Sequence, residues 1–267
     1  MYKYICLILI ILCLSGCDLF EFHPYDVRLS KNTETDINRK NIERIKAICE
    51  NKDTIRFVLM GDTQGWLDET NDFVKHLNQT DSVDFVIHAG DIADFGLTKE
   101  FEWMHNTLSK LRQPYIALIG NHDIMGNGEY VYKKMYGEED FSFIVEDIKF
   151  ICLNTNALEY DYSKPIPDFI FLQQELLDSS DYNRTIVVMH APPGSDQFNN
   201  NVKEIFQIYI KLFPSLQFCL HGHEHSYKAV DIFNDGIIYY GCSSIKRRNY
   251  LLFTLTKDNY SHELIRF

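Results

Sequence analysis

Five apolar runs of strand length punctuate the chain: RFVLM at 56–60, DFVIHA at 84–89, YIALI at 115–119, TIVVM at 185–189 and LQFCL at 216–220. Between them, 67–78, 98–111, 166–178 and 201–212 read as helices. Strands that are apolar throughout, rather than alternating, predict sheet buried on both faces and joined by crossover helices. FSFIVEDIKFICLNT (141–155) reads as a hairpin turning through Glu146-Asp147, and the chain from Tyr227 onward holds three or four further strands without helices. A last hairpin is expected around Lys257-Asp258-Asn259. Upstream, Ile42, Ile45, Ile48 and Cys49 recur behind Asp36 with the spacing of a short amphipathic helix.

The first segment departs from this rhythm. MYKYICLILIILCLSGC carries Lys3 as its only charge, then an apolar stretch from Ile5 to Leu14, then small residues up to Cys17. That is the layout of a secretory signal, and the stretch is shorter than the ~20 residues a membrane-spanning helix needs. Leu14-Ser15-Gly16-Cys17 resembles the lipobox of bacterial lipoproteins, which implies cleavage before Cys17 and lipidation of that residue. The expected organisation is a signal peptide at 1–16, a lipid-anchored tether with a short helix at 17–52, and one globular domain at 53–267. The expected location is the bacterial cell envelope, membrane-anchored outside the cytoplasm. Of seven cysteines, Cys49, Cys152, Cys219 and Cys242 remain once the leader is set aside, and their apolar contexts predict buried thiols rather than disulfides.

Composition adds one constraint. With 26 Lys and Arg against 38 Asp and Glu, the net charge of -12 offers no general field for nucleic acid, and none is expected as a partner. An anionic substrate would have to be held locally, which favours bound cations over a basic patch.

Each main apolar run ends in a polar cluster: GDTQ (61–64), HAGDIAD (88–94), GNHD (120–123), MHAPP (189–193) and HGHEH (221–225). Loops that follow parallel strands gather at one edge of the sheet, so five such junctions predict one constellation. Alone, each is ordinary turn chemistry. Together they offer carboxylate, amide and imidazole donors without thiolates, a set suited to Mn, Fe or Zn.

The ordered set D-x-[H or Q], GD-x-x-D, GNHD, H and GHxH resembles the calcineurin-like metallophosphoesterase family over residues 61–225. The resemblance implies an α/β fold, a two-sheet sandwich flanked by helices in four layers. It also implies two divalent metal ions holding a bridging hydroxide that attacks phosphorus, and the oxygen of Gln64, a harder donor than imidazole, favours Mn. Asp62 would bind the first ion, with Gln64 where the family usually has His. Asp91 would bridge both ions, Asn121, His190 and His223 would bind the second, and His225 would return to the first. His122 would steady a phosphoryl oxygen or protonate the leaving group, oriented by Asp123, and Asp94 would be a partner of a ligand imidazole. The implied activity is hydrolysis of a phosphomonoester, phosphodiester or pyrophosphate. A competing class is a non-catalytic scaffold that retains the fold, supported only by Gln64 in place of His. His88 and His221 are read as packed structural histidines. Lys246-Arg247-Arg248 is read as a solvated turn, with contact to substrate phosphate as its alternative.

Overall fold

The computed structural model describes residue 23 and residues 25–80, 82–178 and 181–267; the expected leader and Cys17 lie outside the described residues. Eleven strands form among them: β1 (Thr54–Met60), β2 (Phe85–His88), β3 (Tyr115–Ala117), β4 (Phe141–Val145), β5 (Ile148–Leu153), β6 (Arg184–Met189), β7 (Leu216–His221), β8 (Lys228–Val230), β9 (Tyr239–Gly241), β10 (Asn249–Thr256) and β11 (Tyr260–Arg266). The helices are α1 (Ile37–Cys49), α2 (Leu67–Leu77), α3 (Thr98–Leu108), α4 (Gly128–Met135), α5 (Phe169–Leu177) and α6 (Lys203–Ile210). One sheet has the order β11-β10-β1-β2-β3 and the other β4-β5-β6-β7-β9-β8.

Both sheets are mixed. β1, β2 and β3 run parallel, as do β5, β6, β7 and β9, whereas β10, β11, β4 and β8 pair antiparallel at or toward the edges. The crossover units inferred from the apolar runs therefore form the centre of each sheet, and the two hairpins extend it.

The period-two alternation of a strand explains why the runs are apolar throughout. Phe57 and Leu59 of β1 enter a core between the sheets with Phe85, Phe150, Ile186, Phe218 and Phe253. Val58 and Met60 face the other way, into a layer with α2 and α3 residues Phe73, Leu77, Phe101 and Leu108. In the second sheet Val187, Met189 and Cys219 pack on Leu172 of α5 and Phe206 of α6. The result is the four-layer sandwich. Cys49, Cys152, Cys219 and Cys242 are all buried and free.

Two features differ from the sequence reading. α4 was not anticipated, because it is short, begins after the turn Met125-Gly126-Asn127 and carries glycine, valine and tyrosine, poor helix formers. Its Val131, Tyr132 and Met135 are nevertheless buried. The helix assigned to the tether, α1, is docked on the domain: the Asn38 amide donates to Ala117 O at 2.8 Å and its oxygen accepts from Ala117 N at 2.9 Å. Asn41 donates to Tyr115 O at 2.7 Å. Two asparagines thus satisfy the free edge of β3, which an exposed edge strand would otherwise offer to other chains.

Phe57 is central to the inter-sheet core, stacked on Phe85 at 5.3 Å and on Phe253 at 5.1 Å, with Phe150 edge-on at 5.6 Å. Truncation leaves a cavity that three aromatic rings cannot fill. Phe57→Ala is expected to lower unfolding free energy by about 3–5 kcal/mol in denaturant titration; a loss below about 1 kcal/mol would show that the two sheets do not depend on this contact.

Candidate metal centre

Parallel strands deliver their C-terminal ends to one edge, and the two sheets meet there. Gly61 bridges to Ser244, and the His190 ring crosses between sheets to Ala89 O at 2.7 Å. The close approach dictates the glycines of the motifs. A Cβ on Gly120 would lie 2.1 Å from Asp91 N, and one on Gly90 would lie 2.6 Å from His190 Nδ1. Asp62, Asp91, His223 and His225 all adopt left-handed backbone, with φ of 52, 60, 65 and 54°. Such conformations cost non-glycine residues on the order of 1–3 kcal/mol each and persist where the surroundings enforce them.

The structure brings together the side chains of Asp62, Gln64, Asp91, Asn121, His190, His223 and His225. Donor atoms of Asp62, Asp91 and His190 lie within 4.8 Å of one another, all buried. A carbonyl only accepts, so the contact of His190 Nδ1 with Ala89 O puts the proton on Nδ1 and the lone pair of the neutral ring on Nε2. That Nε2 faces Asn121 Oδ1 at 3.0 Å and Asp91 Oδ1 at 3.4 Å. His223 Nε2 contacts a carboxylate oxygen of Asp196 at 2.9 Å, which assigns its proton likewise and leaves Nδ1 as an acceptor 3.1 Å from Asn121 Oδ1. With the His190 ring neutral, acceptors converge on one point, an arrangement that fits a cation; without one, a proton on His190 Nε2 takes that place.

The neighbouring group is similar. Asp62 Oδ2 and Gln64 Oε1 are buried without a hydrogen-bond partner, although Asp62 Oδ1 accepts from His223 N at 3.1 Å and lies 3.4 Å from His225 Nε2. Gln64 turns its amide nitrogen, not its oxygen, toward Asp91 Oδ2 (3.2 Å) and His225 Nε2 (3.5 Å). A cation there would require the amide to turn over and present Oε1.

The electrostatics favour positive charge. Burial alone would hold the His190 ring neutral, but Asp91 and Asp62 outweigh it and push the imidazole up to about 9. Burial opposes ionisation of Asp91 too, and His190 overcomes it, holding that carboxyl below its ordinary range. His225 is raised, chiefly by its contact with Asp62.

Around the centre, two expected partnerships are exchanged. Asp123, expected to orient His122, is fully buried and does not hold that ring: it accepts from Ile92 N (2.9 Å), Ala93 N (2.7 Å) and Gly120 N (2.8 Å), tying the loop after β2 to the loop after β3. Burial, with the Asp91 charge, pushes its carboxyl up to about 7 against those amides. His122 is oriented by Asp94 instead, with Nδ1 2.8 Å from the Asp94 carbonyl and 3.7 Å from its carboxylate. The reason is geometric: Asp123 follows His122 directly and points into the fold, whereas Asp94 comes from the facing loop. His88 and His221 are packed histidines, held neutral by burial at about 3 and about 4. Nδ1 of His88 accepts from Gly90 N at 3.2 Å, and its Nε2 reaches Thr63 Oγ1 at 2.9 Å.

Sequence reasoning missed Asp196, which lies six residues beyond His190 in a Pro-Gly loop with nothing to distinguish it from any exposed turn acid. It missed Ser244 as well, whose hydroxyl donates to Asp62 O at 2.9 Å and steadies that strained residue. A cavity of about 730 Å³ opens beside the centre, lined by Gln64, Trp66, Asp94, His122, His225, Lys246 and Arg247 among others. Another, of about 380 Å³, lies at the opposite strand ends among Lys52, Glu146 and Arg184, away from these residues.

Comparison with known proteins agrees with this geometry. The family model described as Calcineurin-like phosphoesterase matches residues 55–227. A probable cyclic nucleotide phosphodiesterase of Xenorhabdus bovienii is 24% identical over 167 residues, covering 57% of this chain and 65% of that protein. A probable glycerophosphodiester phosphodiesterase of Arcobacter nitrofigilis is 26% identical over 130 residues, covering 45% and 46%. The aligned part is thus about half to two thirds of the length of these curated relatives. Among solved structures, a dimetal phosphatase from Danio rerio superimposes with a TM-score of 0.63 at 11% identity, covering 79% of this chain and 95% of that one, a likeness of fold.

Two substitutions test the centre by metal-binding calorimetry. Gln64→His is expected to tighten Mn(II) binding and shift preference toward Zn(II), because imidazole is the softer and stronger donor; unchanged affinity and preference would mean that residue 64 is not a ligand. Asp196→Ala is expected to weaken binding of one ion about 10- to 100-fold, the usual cost of losing the group that orients a ligand histidine. Asp196→Asn keeps an acceptor for His223 Nε2 and should retain most of the affinity; equal loss in both would refute the orienting role.

Proposed function

Because the chain belongs to the calcineurin-like phosphoesterase family, we propose that it hydrolyses a small phosphodiester at a dinuclear centre of divalent ions. The family is divalent-metal dependent. Asp62, Gln64, Asp91 and His225 would hold one ion, and Asp91, Asn121, His190 and His223 the other, with Mn(II) the favoured metal for this oxygen-rich set. The observation that carries the reading is the convergence of Asn121 Oδ1, His190 Nε2 and His223 Nδ1 beside two buried carboxylates. Divalent ions bound there would supply Lewis acidity toward the phosphoryl oxygens and lower the pKa of water. The names of the two curated relatives, both probable phosphodiesterases, favour a diester over a monoester.

The protein's own contribution is orientation and proton handling. Asp91 Oδ1 accepts from His122 N at 3.0 Å, so one carboxylate organises both the centre and the loop that carries His122. With Nδ1 engaged by the Asp94 carbonyl, Nε2 is the ring nitrogen left to contact a phosphoryl oxygen or pass a proton to the leaving oxygen. The Asp94 carboxylate lies 3.7 Å from the same Nδ1, so one residue fixes the ring through both its backbone and its side chain. Asp123 serves this arrangement indirectly by locking the two loops together.

The test is hydrolysis of bis(p-nitrophenyl) phosphate by the metal-depleted chain with Mn(II) restored. Activity is expected only with metal, and Asp91→Asn should lower kcat by ~10²–10³ or more, as when a group stabilising transition-state charge is removed. Equal background rates in the wild type and the variant would instead identify a binding scaffold.

A further inference from the structure

The basic run Lys246-Arg247-Arg248 divides in the fold. Arg248 turns toward α2 and pairs with Asp72 at 2.9 Å. Lys246 and Arg247 line the cavity beside His122 and His225. Each is pinned by a contact that leaves its charge uncompensated. Lys246 Nζ sits 4.3 Å over the Trp66 ring. Arg247 Nε donates to the His225 carbonyl at 2.9 Å, which leaves both Nη groups free as a planar fork. Among the described residues neither side chain has a carboxylate partner, in a protein whose net charge is -12.

Physical chemistry gives this pair a purpose that a solvated turn lacks. A free lysine loses on the order of 1.5–2 kcal/mol of side-chain entropy when it is immobilised, and a cation–π contact holds it for only ~0.5–1 kcal/mol at an exposed site. Here the Trp66 ring offsets part of that loss for Lys246, and the hydrogen bond to the His225 carbonyl does so for Arg247, which reduces the penalty of binding. The guanidinium fork and the ammonium are complementary to tetrahedral phosphate oxygens. On the proposed reading, the scissile phosphoryl group would be held by ions bound among Asp62, Gln64, Asp91, Asn121 and the ligand histidines. A cationic wall beside it is suited to a different anion on the same molecule.

We propose that Lys246 and Arg247, ordered by Trp66 and the His225 carbonyl, form a subsite for a second phosphate of the substrate, so that the site selects phosphoesters carrying a further phosphate over those with neutral substituents. The subsite rests on the phosphoester reading of the adjoining centre.

The experiment uses probes that cannot be hydrolysed. Binding of alkane-α,ω-bisphosphonates of three to six carbons to the Mn-loaded chain is measured by calorimetry and compared with that of the alkylphosphonate of the same length. For at least one length the bisphosphonate should bind tenfold tighter or more, and raising salt from about 0.05 to about 0.5 M should erode the preference. The Lys246→Met/Arg247→Met double variant should reduce the ratio to less than twofold. Lys246→Met alone, which keeps the Arg247 tie to His225, should reduce it in part. Arg248→Met, outside the cavity, should leave it intact. A wild-type ratio within twofold at every length, or a ratio that survives the double variant, overturns the proposal. Because the readout is binding, a chain that shows this preference yet turns over neither bis(p-nitrophenyl) phosphate nor a diester carrying a second phosphate would sink the hydrolase reading and leave the subsite standing.

Discussion

Two carboxylates, Asp62 and Asp91, are almost completely buried at the junction of the two sheets, and negative charge without compensation in such a place costs several kcal/mol per group. Most of the local structure answers that constraint. His190 is drawn toward its protonated form between them, His225 approaches Asp62, and Gln64 turns its amide nitrogen to Asp91. These responses are partial, since Asp62 Oδ2 still has no partner. A divalent cation would satisfy what the side chains cannot, and would release His190 to act as a neutral donor.

The scaffold makes that junction possible. Strained left-handed positions at Asp62, Asp91, His223 and His225 are tolerable because each follows a strand anchored in the core between the sheets. The aromatic stack of Phe85, Phe57 and Phe253 holds the first sheet against Phe150 of the second. Asp123 then fastens two of the loops through backbone amides, at the depth where it cannot also serve His122. Rigidity in the core and strain at the edge are two parts of one device, a set of donors held in place before any ligand binds.

Outside the centre, the surface of this acidic chain is not uniform. The cavity beside His122 combines the acid Asp94 with the pinned cations Lys246 and Arg247. Mixed charge of this kind distinguishes parts of one ligand rather than attracting anions at large. On the proposed reading, metal-site chemistry and substrate choice would be carried by different segments, the former by loops after parallel strands and the latter by the short helical turn after β9.

The sequence by itself determined a good deal, because buried strands and their polar termini leave a linear trace. Apolar runs at 56–60, 84–89, 115–119, 185–189 and 216–220 became β1, β2, β3, β6 and β7 within a residue or two at most ends, and the residues following them meet at one edge. The family followed from those residues and their order. Tertiary structure alone decided which side chain serves which. Asp94 rather than Asp123 holds His122, Asp196 reaches His223 from a loop with no signature, and Asn38 and Asn41 close the edge of β3 from a helix that reads as a tether. It also split three adjacent cations between a surface ion pair and a cavity wall. The physical reason is range: burial and periodicity are properties of neighbouring residues in the chain, whereas hydrogen-bond partnership depends on distances of a few ångströms between segments far apart in it, and those distances exist only once both sheets have packed.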